Sequence, residues 1–274
     1  MPELPEVEVI RQGLIPHVVG REIVSIACSA KKLRFAIPKN ELVRWLKGGR
    51  ISAIRRRGKY LLFLLESGAA MIVHLGMTGR LGIFPATAPP ALHDHVVFRL
   101  PDAVQMRYND TRRFGFIRVL TPDQYRENDP FKDMGCEPLE KDFSGSYLKK
   151  MAGSRLQPVK NFLMDNRMVA GIGNIYANEI LFHGGIHPAK PIGSLTLSMW
   201  DTVAEKTREV LLRAIASGGS SISDFVNSSG QKGYFQLELM VYGRAGEGCR
   251  RCLATIGRLV IGGRSTFFCP NCQK

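Results

Sequence analysis

Four of the six cysteines fall in the last 26 residues, Cys249 and Cys252 in "CRRC" and Cys269 and Cys272 in "CPNC", with 16 residues between the pairs. Two Cys-x-x-Cys turns so spaced bring four thiolates within tetrahedral reach of one Zn²⁺. The intervening "TIGRLVIGGRSTFF" has the alternating, glycine-punctuated texture of a β-hairpin. Two disulfides would use the same cysteines. The chain start lacks the basic stretch and apolar run of a secretory signal, however, and the cytosol that this implies is reducing. The expectation is one structural zinc, filled by protein at all four positions and therefore not catalytic. Cys28 and Cys136 stand alone and read as ordinary buried thiols.

A length of 274 residues is enough for two domains, and an apolar content of 45% supports a true core. No apolar run approaches the roughly 18 residues of a membrane span. The net charge of +14 points to a polyanionic partner, nucleic acid first. An anionic membrane is the weaker alternative, because no basic amphipathic helix is long enough to lie on one.

From about Arg21 to Leu120 the texture is β: "RISAIRRRGKYLLFLLE", "AAMIVHLGM", "DHVVFRL" and "GFIRVL" are short β-branched or aromatic runs bounded by turn residues. Ahead of them, "MPELPEVEVI" predicts a helix from Leu4, with Pro5 at its first position and Glu6 and Glu8 at the positive end of its dipole. "TPDQYRENDPFKDMGCEPLEKDFSG" is polar and reads as a linker. Helical patterns follow in "SYLKKMAGS", "QPVKNFLMDN", "NIYANEILFHGG" and the long amphipathic stretch ending "VLLRAIASGG". The expected layout is a β domain at 1–130, a linker at 131–150, a helical domain at 151–244 and a zinc appendage at 245–274.

Several stretches carry potential chemistry. "GIGN" before a helix can offer free backbone N–H groups to a phosphate, or simply turn a corner; Asn174 stands where an N-cap belongs. In "RRRGKY", Arg55, Arg57 and Lys59 would share one strand face, either solvated or tracking phosphates. Met77 sits in a glycine-flanked loop, as a core plug or an exposed side chain. "NDTRRFGF" places Arg112 and Arg113 beside Phe114, a pairing suited to stacking and wedging into nucleic acid.

Taken in order, "PELPEVE", "RRRGKYLLF", "HLGMTG", "HDH", "RRFG", "LMDN…GIGNIYANE" and "GRSTFFCPNC" resemble the formamidopyrimidine-DNA glycosylase family nearly end to end. The resemblance implies an α+β fold, with an N-terminal β-sandwich or barrel-like domain, a helix–two-turns–helix domain and the zinc hairpin. It implies a monomeric, cytoplasmic, nucleoid-associated bacterial enzyme of base-excision repair, acting on double-stranded DNA with no organic cofactor and no membrane. "PELPE" rather than "PEGPE" points to oxidised purines, 8-oxoguanine and formamidopyrimidines, rather than oxidised pyrimidines.

The same resemblance assigns residues. Pro2, freed of Met1, is the nucleophile; Glu3 is general acid/base, with Glu6 nearby. Lys59 assists β-elimination, and Arg264 is linked to δ-elimination and to the phosphates flanking the lesion. Asn174 grips those phosphates from the other side, and His93, Arg112, Arg155 and Lys160 are further DNA contacts. Met77, Arg112 and Phe114 fill the space left by the extruded nucleotide, Arg112 bonding the orphaned cytosine and Phe114 wedging the opposite strand. Thr111 replaces a proline common in relatives, with a small expected change in turn stiffness. The stretch near Ser220–Tyr234 resembles a cover over the extruded base. Two alternatives stand beside this reading: a glycosylase for oxidised pyrimidines, and a non-catalytic zinc-bearing binder of damaged DNA.

Overall fold

The computed structural model describes residues 1–219 and 239–274. They divide into two compact units, one formed by 1–132 with 217–219 and the other by 133–216 with 239–274.

The first unit begins with α1 (Leu4–Val18) and continues through β1 (Ser25–Cys28), α2 (Lys39–Leu46), β2 (Ile51–Arg57), β3 (Tyr60–Leu65), β4 (Ala70–His74), β5 (Arg80–Pro85), β6 (Asp94–Leu100), β7 (Val104–Asn109), β8 (Phe116–Leu120) and α3 (Pro122–Glu127). The strands form two antiparallel four-stranded sheets, ordered β1-β6-β7-β5 and β2-β3-β4-β8. Val7, Ile10, Leu14 and Val18 of α1 share one core with Leu61 and Phe63 of β3, Met71 and Val73 of β4, and Phe98, Met106 and Tyr108 from the other sheet. β3 reads as an unbroken apolar run because both its faces are covered. Leu61 and Phe63 face that core, whereas Leu62 packs with Ala70, Ile72 and Leu120 beneath Tyr125 of α3 and Phe131.

Two helices stand where the sequence suggests none. α2 buries only Leu42 and Leu46, too short a stripe to stand out in a sequence window. α3 lies in the expected linker and starts on a capping box: Thr121 Oγ1 accepts the Gln124 N–H at 3.2 Å, and Gln124 Oε1 accepts the Thr121 N–H at 3.1 Å. The later part of that stretch is no free linker either. Gly135 donates to Asn166 at 2.8 Å, Cys136 donates to the Tyr147 hydroxyl at 3.1 Å, and Cys136 bridges to Val169. Cys28 and Cys136 are each half-buried rather than enclosed.

The second unit contains α4 (Gly145–Ala152), α5 (Val159–Met164), α6 (Asn174–His183), α7 (Leu197–Ala216) and the hairpin β9 (Gly257–Ile261) with β10 (Arg264–Phe268). α7 buries Trp200, Val203, Ala204, Thr207, Val210, Leu211 and Ala214, the stripe of an amphipathic helix. Every residue of α6 from Ile175 to Phe182 is buried. Within it, Glu179 receives the backbone N–H groups of Met240, Val241 and Tyr242 at 2.9, 3.0 and 2.9 Å, which fixes the chain entering the cysteine segment. Among the described residues, no helix is long and apolar enough to cross a membrane.

One ion-pair cluster ties α1 to the β2–β3 hairpin. Glu8 receives Arg11 at 2.7 Å and Arg56 Nε at 3.0 Å, and Arg56 also donates to the Gly58 carbonyl at 3.2 Å. Burial alone would raise the Glu8 carboxyl, but bonds from Arg11 and Gln12 and the charges of Arg11 and Arg56 hold it below its ordinary value of 4.5. A lowered carboxyl stabilises the fold above its unfolded value, and that stabilisation is lost as pH falls through the folded value. Glu8→Gln should therefore lose about 1–3 kcal/mol at pH 7. The gap to the parent should close below pH 4.5, as read from urea midpoints across pH. A gap independent of pH would contradict this role.

Candidate active site and nucleic-acid interface

The first turn of α1 holds the N-terminal group of residues. Glu3 is the N-cap, in a capping box with Glu6, whose carboxylate accepts the Glu3 N–H at 2.8 Å. Glu3 and Glu6 are 2% and 1% exposed, and Pro2 is buried beside them. Two carboxylates out of bulk water are tolerable at the positive end of a helix. Met1 is 40% exposed and acylates the Pro2 nitrogen in the translated chain.

Lys59 does not continue the strand face with Arg55 and Arg57. It occupies the two-residue turn between β2 and β3, after Gly58 at φ 54°, and is 6% exposed. Its charge is felt by His74 on β4, which burial, Lys59 and Arg34 push down to about 4. The neutral His74 ring accepts the Gly76 N–H at 3.1 Å and stacks on Phe116, centroids 5.5 Å apart. His74 therefore sets the start of the loop that carries Met77. Sequence reasoning passes over it, although it opens "HLGMTG"; the histidine before a loop gave the only signal.

Met77, Arg112 and Phe114 project from two loops of this unit that meet backbone to backbone. At Gly76, φ 63°, a Cβ would stand 2.3 Å from Gly115 N, and at Gly115 it would stand 1.9 Å from the Tyr108 hydroxyl. Only glycine at both positions allows the loops to close. Above that contact Met77 is 40% and Phe114 46% exposed, and the Arg112 guanidinium lies 4.8 Å from the Phe114 ring centroid. Met77 is thus no core plug. Thr111 is exposed in the same turn. His93 has φ 73° and is half-buried, its carbonyl accepting the Asp110 N–H at 3.2 Å.

In the second unit the hairpin is fastened to two helices. Asn174 is the first residue of α6, one position past its N-cap Gly173, and its amide donates to the Ser265 carbonyl at 3.1 Å. Lys160 is 0% exposed, and its Nζ donates to Ser265 O at 3.2 Å and Thr266 Oγ1 at 2.7 Å, so it braces β10. Arg264 opens β10 and is exposed; Arg155 is exposed after α4 and donates to the Ala152 and Met151 carbonyls. The stretch near Ser220–Tyr234 lies outside the described residues.

The Cys249, Cys252, Cys269 and Cys272 sulfurs all lie within 4.8 Å of one another, with Cys249–Cys272 at 4.0 Å and Cys252–Cys269 at 3.4 Å. A tetrahedron with Zn–S bonds of about 2.3 Å has S···S edges of about 3.8 Å, so the donor set fits zinc.

Family models match residues 1–117 as the formamidopyrimidine-DNA glycosylase N-terminal domain, 134–226 as the H2TH domain of the same glycosylase, and 246–274 as the zinc finger found in FPG and IleRS. The chain belongs to the formamidopyrimidine-DNA glycosylase family. A relative so named from Methylococcus capsulatus is 44% identical over 274 residues, covering all of both chains. The wild-type Lactococcus lactis Fpg, solved with an N7-benzyl-Fapy-dG containing DNA, superposes at a TM-score of 0.91, with 36% identity over 100% of each chain. The Lactococcus lactis enzyme with an abasic site containing DNA gives 0.90, with 36% identity over 99% of each chain. Family membership makes the cysteine cluster a structural zinc finger.

Stripping zinc should free the 249–274 segment, because in so small a unit the free energy of metal binding is a large part of the free energy of folding. Hydrogen exchange with and without a chelator reads this as lost amide protection in 249–274 while α1 and the sheets keep theirs. Unchanged protection there would mean the metal does not hold the finger.

Proposed function

We propose that the chain is a bifunctional DNA glycosylase and abasic-site lyase for oxidised purines, working through the amine of Pro2 once Met1 is removed. The carrying observation is the buried first turn of α1, where Pro2 is adjacent to a 2% exposed Glu3. A terminal amine has a pKa of about 7.7–8, so a useful fraction is neutral at physiological pH. Its nitrogen attacks C1′ of the extruded nucleotide, the glycosidic bond breaks, and the base leaves with a proton. Glu3 is the proposed donor to the sugar ring oxygen, opening it as the C1′–N bond becomes an iminium. Because the amine is secondary, the iminium keeps its positive charge and acidifies the C2′ proton. Loss of that proton expels the 3′ phosphate, with Lys59 assisting; a second elimination, to which Arg264 is assigned, expels the 5′ phosphate. Hydrolysis of the iminium returns the amine.

The remaining assignments concern binding. His93, Arg112, Arg155, Arg264 and Asn174 are proposed to hold DNA, and Met77, Arg112 and Phe114 to fill the vacated stack, Arg112 bonding the orphaned cytosine. Lys160 supports them by bracing the β10 backbone. Zinc, when bound by its four cysteines, supplies rigidity and no chemistry. The reading includes a cytoplasmic, nucleoid-associated location and action as a monomer.

Borohydride reduction with an 8-oxoguanine:cytosine duplex should trap a covalent adduct through residue 2, which Glu3→Gln slows and retention of Met1 abolishes. No adduct from fully processed protein would overturn the lyase reading in favour of a non-catalytic binder. Affinity for duplex should fall about 10³-fold or more between about 50 and 200 mM salt, provided six or more phosphates are contacted. A flat titration by fluorescence anisotropy would contradict the electrostatic reading.

A further inference from the structure

Asp110 takes no part in the chemistry above, yet it is 0% exposed and lies where the two exposed loops of the first unit converge. Its Oδ1 accepts the Thr78 hydroxyl at 2.6 Å. Its Oδ2 accepts the Gly115 N–H at 2.9 Å and the Tyr108 hydroxyl at 3.4 Å. Thr78 Oγ1 in turn accepts the Arg112 N–H at 3.0 Å. The backbone of Asp110 is engaged as well. Its N–H donates to His93 O at 3.2 Å, and its carbonyl lies 3.0 Å from His95 Nε2. A carbonyl only accepts, so His95 Nε2 donates to it, and His95 Nδ1 lies 3.1 Å from the Ser29 hydroxyl.

A carboxylate that merely closed its own turn would bond within residues 110–115. This one also reaches across to the other loop. Met77 precedes Thr78, Phe114 precedes Gly115, and the Arg112 N–H is held by Thr78; each exposed side chain is therefore attached to a backbone position that Asp110 fixes directly or through one hydroxyl. Every partner on the two carboxylate oxygens is a donor, and the Gly115 N–H cannot reverse its role. An amide of the same shape could keep the Gly115 N–H only by turning its N–H₂ toward Thr78 Oγ1, which reverses the Thr78 bond and gives up the charged acceptor.

We propose that Asp110 is a positioning residue that sets how Arg112, Met77 and Phe114 meet the strand opposite the lesion, and through them the preference for the opposite base. The inference rests on the proposed void-filling role of those three side chains. A displacement of about 1 Å in such a constellation costs up to about a hundredfold in rate. The loss should fall on the cognate pair, because a misplaced Arg112 contributes nothing to a base that it does not read.

The test uses full-length zinc-loaded protein and compares kcat/KM for 8-oxoguanine opposite cytosine with that opposite adenine. Active molecules are counted by borohydride trapping on an abasic duplex, so partial misfolding cancels from the ratio. Asp110→Asn and Thr78→Val should each lower the cytosine-to-adenine ratio by about tenfold, and Thr78→Ser, which keeps the hydroxyl, should restore it to within about twofold. Should Asp110→Asn fail to fold, the threonine pair decides the matter alone. A ratio unchanged in Asp110→Asn and Thr78→Val, while Arg112→Ala collapses it, overturns the proposal and leaves the site reading intact. A ratio that survives Arg112→Ala removes the assignment of Arg112 and the inference with it.

Discussion

A charge withdrawn from water must be met by the fold, and this requirement organises every functional segment of the chain. Glu3 and Glu6 are met by the positive end of α1 and by each other's backbone. Lys160 is met by β10, and Asp110 by hydrogen-bond donors from two loops. An unpartnered charge in any of these places would cost several kcal/mol, so each group holds its partners in one geometry. The exposed Met77, Arg112, Phe114 and Arg264 lie next to residues that these enclosed groups hold. The enclosed charges thus act as the datum from which the exposed ones are placed.

Mobility of the exposed group matters for the same reason. Met77, Arg112 and Phe114 are long or large side chains in contact with solvent, and ordering them against DNA, in the role proposed for them, would cost conformational entropy. The backbone contact at Gly76 and Gly115, the Asp110 bonds and the guanidinium over the Phe114 ring remove much of that freedom in advance. What the partner then encounters is a stiff base with a few free rotors.

The arrangement of elements was largely legible in the sequence, because it rests on local signals: a proline and glutamates opening α1, period-two apolar runs, an amphipathic α7 and the paired cysteines. Legibility failed where tertiary contact outweighed local pattern. α2 shows only two core residues, and α3 is built from residues that also suit a loop. Lys59 seemed to extend a strand face, but Gly58 turned the chain first. Lys160 looked like a surface cation because lysines mostly are; its burial depends on a hairpin 105 residues away. Asp110 lay inside the quoted "NDTRRFGF", but an aspartate before a turn signals no more than turn chemistry. Its link to Thr78 spans 32 residues.

The zinc finger illustrates how a chain end with little core of its own gains rigidity. Two five-residue strands form a hairpin that cannot stand alone in water. Val241, Ile256, Cys249 and Cys269 bury against Phe182 of α6, which adds a small apolar cluster. The Phe267 N–H donates to Asn178 at 2.8 Å, while Asn174 and Lys160 take Ser265. β10 is thereby held on one side by thiolates and on the other by three polar side chains of the helical layer. Arg264 begins that strand one residue before Ser265, so its backbone inherits both restraints and its guanidinium is left exposed. The phosphate grip proposed for Arg264 would use this combination of fixed origin and free end, because each rotor frozen on contact subtracts from affinity.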